Sequence, residues 1–451
     1  MSLTLNSQNV NTAVGAFPAA YRILSIVLTN AYGKEYDIQN LVTKVSITES
    51  IHMFSLLAEI EVRDSANLFE ELRISGQEKV TITFLKQDMG SNDKTKKEMK
   101  FYVSEIPVFG KANDHVQAYT MKCVSEHAFV NNLVSISRTV TGSMLKAVQS
   151  IVKNDLQYDG VIESEADSKG NVKLIIPNMK PFTALSWLLR HSYGENGSPV
   201  FAYETMDGFK VHSYDFLSTG ASIGTYKFNF LQAQNPNKND GYEKLKYKIL
   251  NMSSDMNSSR YLHSARGAFA STTKVLDYAT KRYYTTTYDY QKKFPNLPTS
   301  NKKTGKSVLS NSFKIKDETL NHHHDSLYIY MNENSMANGS YGNYHTPALQ
   351  SIGAHQSMLE NLDLFKQSIV VYGNLDIGAG KKITIDAPKA IDPQVYKKVK
   401  SSDAKKLDAM KDMMISGDYL IVSVKHTFEQ EHTCQLLLKR DYSNYSLDAA
   451  E

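Results

Sequence analysis

The chain has 451 residues, 41% hydrophobic and 22% charged, with a formal net charge of +4 on 51 basic and 47 acidic side chains. Such a length exceeds one hydrophobic core and implies roughly two to four domains. The composition excludes a disordered polymer, and the near-balanced charge excludes a global field for nucleic acid, leaving only local patches.

The opening stretch, MSLTLNSQNVNTAVGAF, lacks a basic region followed by an apolar one, and no apolar run reaches spanning length. The expectation is a protein made in a cytoplasm that enters no membrane by itself. The first 125 residues then read as closely spaced strands: YRILSIVLTN, LVTKVSITES, SLLAEIEVRD, EKVTITFL, KFYVSEIPVF and HVQAYTMKCV. In SLLAEIEVRD, Ala58, Ile60 and Val62 share one face and Glu59, Glu61 and Arg63 the other, the period of a half-buried antiparallel strand. Asp64 is placed to cap a short helix, SANLFEEL, that ends before Gly76. Strands this dense predict a small barrel or sandwich.

Residues 126–215 read as an α+β unit. Met144, Leu145, Val148, Ile151 and Val152 form one helical stripe; Pro181 opens a second helix with Leu185, Leu188 and Leu189 inward; VFAYETMDGFKVHSYDFL is a hairpin turning at Asp207-Gly208. Residues 251–350 are rich in Ser, Asn, Thr and Tyr and predict an irregular inserted arm, with KRYYTTTYDY as one strand. Residues 216–250 and 351–445 supply a second β-rich unit, interrupted by a Lys-rich linker from Lys389 to Asp412. Near its end, Leu420, Val422, Val424, His426 and Phe428 are predicted to share one strand face, with a turn at Gln430-Glu431.

Four chemistries are weighed against plain structure. GAGKK, Gly378 to Lys382, resembles a phosphate loop, but Lys382 stands where Ser or Thr is needed, Leu375 where the first glycine belongs, and a strand follows instead of a helix. It reads as a strand connection. His322, His323, His324 and Asp325 are metal-ligand types, yet consecutive residues point apart and no spaced signature completes them. The NGS and TGS elements at Ser143, Ser198 and Ser340 lack the second glycine of a nucleophile elbow. The Lys-rich stretches 301–306 and 397–406 lack the interleaved aromatics of a single-strand binder. Cys123 and Cys434 read as buried free thiols, with neither a disulfide nor a Cys-based metal site supported. The expectation is a non-enzyme with no cofactor and no metal. Many tyrosines (27 in all) and long decorated connections are traits of an assembly protein.

LVTKVSITESIHMFSLLAEIEVRDSANLFEELRISGQEKVTITF resembles the opening barrel of the baseplate hub proteins of T-even-like contractile-tailed phages, through Glu49-Ser50-Ile51, Asp64, Gly76, Glu78-Lys79 and Phe84. KPFTALSWLLRHSYGENGSPVFAYETMDGFKVHSYDFL is similar to that family's second domain, GAFASTTKVLDYATKRYYTTTYDYQKKF to its arm, and YGNLDIGAGKKITIDAP with SGDYLIVSVKHTFEQEHTCQLLLKRD to its second barrel. That barrel is shared more loosely with the hub part of type VI secretion spike proteins. The resemblance implies a mainly β fold with α+β inserts, having two small β-barrel tube domains plus peripheral domains. It places Gly373, Gly378 and Gly380 in a structural turn of the second barrel. It also implies a homotrimer whose pseudo-sixfold ring joins the hexameric tail tube, or a tube-initiator protein, to a threefold central spike. Through that ring tape-measure protein and DNA pass in transit. The expected location is the virion tail baseplate, after assembly in the host cytoplasm. The alternatives are the equivalent hub of a cellular contractile injection system and, from another class, a tail-associated cell-wall hydrolase.

Overall fold

The computed structural model describes residues 22–87, 94–165, 171–190, 192–228, 246–255, 259–277, 281–301, 303–333, 345–390, 410–445 and 447. Ser340, the 397–406 stretch and most of the Lys389–Asp412 linker lie outside them. No helix among the described residues is long and apolar enough to cross a membrane.

The first β unit has β1 (Arg22–Thr29), β2 (Glu35–Asp37), β3 (Val42–Ser50), β4 (Leu57–Asp64), β5 (Lys79–Gln87), β6 (Lys94–Asn113) and β7 (Val116–Ser125), in the order β3-β4-β7-β6-β5-β1-β2. Its strands alternate as the sequence predicts: Ala58, Ile60 and Val62 are buried in one core with Val45, Ile47, Ile82 and Met121. Asp64 is buried and accepts from the Ala66 and Phe69 amides at 2.9 and 3.0 Å, although the helix itself starts one turn on, at Leu68.

The α+β insert pairs β8 (Ile136–Ser143) with β10 (Asn171–Met179). Its second sheet joins β9 (Ile162–Ser164), β11 (Val200–Thr205) and β12 (Gly208–Ser213). Helices Met144–Ser150 and Pro181–Arg190 bury the predicted stripes, Leu145, Val148, Leu185 and Leu188 among them, in one core.

After β13 (Ser222–Lys227) and β14 (Ile249–Asp255), the arm departs from the irregular expectation. β15 (Ala270–Asp277), β16 (Arg282–Asp289) and, past the short hairpin β17 (Lys314–Ile315) and β18 (Glu318–Thr319), β19 (Tyr328–Glu333) form a sheet ordered β16-β15-β19. The Thr and Tyr content that suggested loops is strand-forming material once a helix, His345–Leu362, covers one face. Met358 and Leu362 of that helix pack with Phe269 and Tyr288. The other face exposes Tyr283, Leu276, Tyr328 and Tyr330, with the Lys274 ammonium 4.7 Å from the Tyr328 ring centre.

The second β unit adds β20 (Phe365–Tyr372), β21 (Lys382–Asp386), β22 (Gly417–Phe428) and β23 (His432–Arg440), in the order β14-β20-β23-β22-β21-β13. Two separate barrels are the sequence expectation. Among the described residues no closed barrel is seen, and the two units belong to one 13-stranded sheet. The join is β22. Its first residues, Gly417–Leu420, pair with β21, and its last, Ser423–Phe428, pair antiparallel with Val45–Ser50 of β3.

A register shift against β23 between Ile421 and Ser423 makes this switch. It also overturns the single face expected for Leu420 to Phe428. An extra residue in a strand reverses the parity of all that follow. Before the shift Leu420 and Val422 face the arm core while Tyr419 and Ile421 face the second unit's core; after it, Val424 takes that side and Phe428 enters the first unit's core. The Phe428 and Phe84 ring centres are 5.1 Å apart. At the rim, Lys425 Nζ meets Glu59 Oε2 at 3.0 Å, both side chains well exposed. Such pairs contribute less than about 1 kcal/mol, so Lys425→Ala should leave the melting temperature essentially unchanged.

Candidate functional site: the Glu49 junction

Three parts of the chain meet at Glu49. Its position on β3 has the inward parity of Val45 and Ile47, and its carboxylate is buried. Oε2 accepts from the Met206 amide at 2.9 Å, at the tip of the β11–β12 hairpin, and Oε1 from the Ala379 amide at 2.7 Å, in GAGKK. The Glu49 carbonyl accepts from Ser423 Oγ of β22 at 2.9 Å. One residue therefore ties the first β unit to the insert and to the second β unit. Burial pushes its pKa up to about 7, against the pull of the two amides.

GAGKK is the docking element on the second unit's side. A Cβ on Gly378 would sit 3.2 Å from Glu49 Oε1; Gly380 has φ +82° and its Cβ would sit 2.1 Å from Tyr203 Oη. The Gly380 amide donates to the Ile421 carbonyl at 2.8 Å. Lys381 Nζ reaches the Asp376 carbonyl at 2.7 Å and Asp207 at 3.5 Å, and Asp207 also pairs with Lys97 of β6 at 2.6 Å. Lys382 is buried, donates to the Ser218 and Ser300 carbonyls at 2.8 Å each, and is held below the usual lysine range by burial. Every residue of the stretch meets protein, as a strand connection requires. Gly373, the third turn glycine, lies against the His432 ring, where its Cβ would be 2.0 Å from Cγ.

The other first-unit positions picked out by the resemblance make local contacts of the same kind. Ser50 Oγ accepts from the His52 amide at 3.3 Å. Glu78, fully buried, accepts from the Ser75, Gly76 and Gln77 amides at 2.6, 2.8 and 3.1 Å, and Gly76 has φ +91°. These acids are anchors for backbone N–H groups in loops, a charge-assisted bond stronger than a neutral one.

A second anchor supports the first. Glu204 of β11 is buried, accepts from the Leu56 amide at 2.8 Å and from Ser125 Oγ, and lies 3.7 Å from His127 Nε2; burial raises its pKa. Serine, histidine and a carboxylate are the residue types of a hydrolytic triad, but their order here is wrong for one. Ser125 Oγ donates to the carboxylate rather than to the imidazole, and His127 Nε2 is 2.8 Å from the Phe54 carbonyl. They fix the Phe54–Leu56 segment against the insert.

The histidine run is not brought together. His322 Nδ1 meets Thr319 Oγ1 at 2.8 Å, His324 Nδ1 the Tyr288 carbonyl at 3.1 Å, and Asp325 accepts from the Tyr328 hydroxyl at 2.6 Å. Ser143 caps the helix that follows it, and Ser198 Oγ donates to Asp215 at 2.7 Å.

The architecture is thus two β-rich units fused edge to edge with inserts clasping the seam. The chain is similar in structure to the tail protein from Neisseria meningitidis MC58, with 12% sequence identity and a TM-score of 0.51 over 92% of this chain and 96% of that one. It is also similar to the 43 kDa tail protein of prophage MuSo2 from Shewanella oneidensis (12% identity, TM-score 0.49, 92% and 98% covered). A third likeness is to a type VI secretion system component from E. coli (8% identity, TM-score 0.40, 96% and 79% covered). The Neisseria meningitidis likeness establishes the shared fold. No family model matches the chain, and no curated protein sequence matches it.

Proposed function

We propose that the protein is a structural hub subunit of a contractile-tail baseplate in the virion, acting as a homotrimer and without enzymatic chemistry. The observation that carries this reading is the pairing of β3 with β22, which fuses two β-rich units into one sheet. Three copies of such a chain present six β units, the number needed to face a hexameric tube, while the trimer itself matches a threefold spike. The two units are the tube domains of the ring, and the insert and arm are its peripheral domains. The partners are then the tail tube or its initiator, the central spike, and the tape-measure protein and DNA that pass through. The exposed Tyr283, Tyr328 and Tyr330 face supports an assembly role, because tyrosine is enriched at protein contacts.

Mass measurement of the full chain, alone and mixed with a candidate central spike protein from the same source, tests the proposal. The expected species is a trimer in at least one of the two samples. A monodisperse monomer in both contradicts it.

A further inference from the structure

His426, His432 and Cys434 are buried together at the turn end of the β22–β23 hairpin. His426 and Cys434 are cross-strand partners, and His432 lies two residues before Cys434 on the same face. His426 Nδ1 and His432 Nε2 are 3.1 Å apart, and Cys434 Sγ is 3.2 Å from the first and 3.7 Å from the second.

A hydrogen-bonded trio accounts poorly for this triangle. Each imidazole nitrogen offers one in-plane proton or one lone pair, so His426 Nδ1 cannot serve both neighbours well. A single cation at the centre serves all three. With metal–nitrogen bonds of about 2.0–2.1 Å and a metal–sulfur bond of about 2.3 Å, tetrahedral ligand atoms stand roughly 3.3–3.6 Å apart.

We propose that His426, His432 and Cys434 bind a thiophilic closed-shell cation, Zn(II) or Cu(I). The surroundings fit a metal thiolate. The Asn374 amide donates to Cys434 Sγ, the kind of second contact that tunes a ligating sulfur. The missing side chain of Gly373 makes room for the His432 ring, and Phe428 stacks on its face with ring centres 4.2 Å apart. The ion would staple the end of β22 that carries the pairing with β3.

The test is metal analysis of the full chain, followed by titration of the stripped protein with Zn(II), with Cu(I) under anaerobic conditions, and with Co(II) as a spectroscopic probe. About one ion per chain is expected, falling to under about one tenth in Cys434→Ser and in His432→Ala. Cys123→Ser and a His322→Ala/His323→Ala/His324→Ala triple variant should bind as wild type. Whether zinc or copper is retained decides the ion. The wild-type cobalt form should show a thiolate-to-cobalt charge-transfer band, which reports Cys434 even where its variant folds poorly. Folded wild-type protein that binds neither ion overturns the proposal. So does a cobalt form without that band, or equal binding by Cys434→Ser.

Discussion

Glu49→Ala should destabilise the chain by about 2–5 kcal/mol, because it leaves the buried Met206 and Ala379 amides without an acceptor. Chemical denaturation compared with wild type measures it. Glu49→Gln keeps one acceptor oxygen and turns an NH2 toward the other amide, so it should fall between alanine and wild type. The two variants also separate hydrogen bonding from charge. The folded pKa of Glu49, about 7, lies above its ordinary value of 4.5. The native state therefore holds this proton more tightly than the unfolded chain does. The resulting stabilisation is fully present below pH 4.5 and is lost as pH rises to about 7, a change of about 3 kcal/mol. Glu49→Gln should flatten the pH dependence of stability across that window. An unchanged slope would show that another group titrates there.

Gly380→Val should cost about 3–5 kcal/mol, combining left-handed backbone strain with overpacking against Tyr203. The position has φ +82°, and the new side chain would start 2.1 Å from Tyr203 Oη and 3.3 Å from Leu217 Cδ2, both in buried residues. Gly378 is the internal control. Its φ is not in the left-handed region, and its Cβ would meet Glu49 Oε1 at 3.2 Å, with Lys381 Cε and Nζ at ordinary contact distances of 3.6 and 3.7 Å, so Gly378→Ala should cost less than about 1.5 kcal/mol. Equal losses at both positions would mean that the loop does not dock as described. Both effects should appear in thermal melts and again in the yield of assembled particles.

The sequence carries the local elements well. Period-two alternation locates β4, and helical stripes locate the two insert helices, because one face of each is simply apolar. The join between the β units is invisible at that level. Nothing in GDYLIVSVKHTF marks the register shift after Ile421, since the residues on either side are apolar whichever core they face. Glu49 carried a usable signal, a carboxylate at an inward position of an alternating strand, but its two partners lie 157 and 330 residues away. The metal candidate was legible in principle. With the turn at Gln430-Glu431, the spacing of His426, His432 and Cys434 puts all three on one hairpin face, whereas the eye goes first to the consecutive histidines at 322–324. The sheet in the arm is not legible in the sequence, because Thr and Tyr serve loops and strands equally until a covering helix is known.

A cryo-EM reconstruction of the assembled particle tests the central claim most directly. The account predicts a threefold ring of three chains in which six β units surround a channel, and in each chain Ser423–Phe428 pairs with Val45–Ser50. A particle without threefold symmetry, or a ring in which β3 and β22 of one chain are apart, would contradict it.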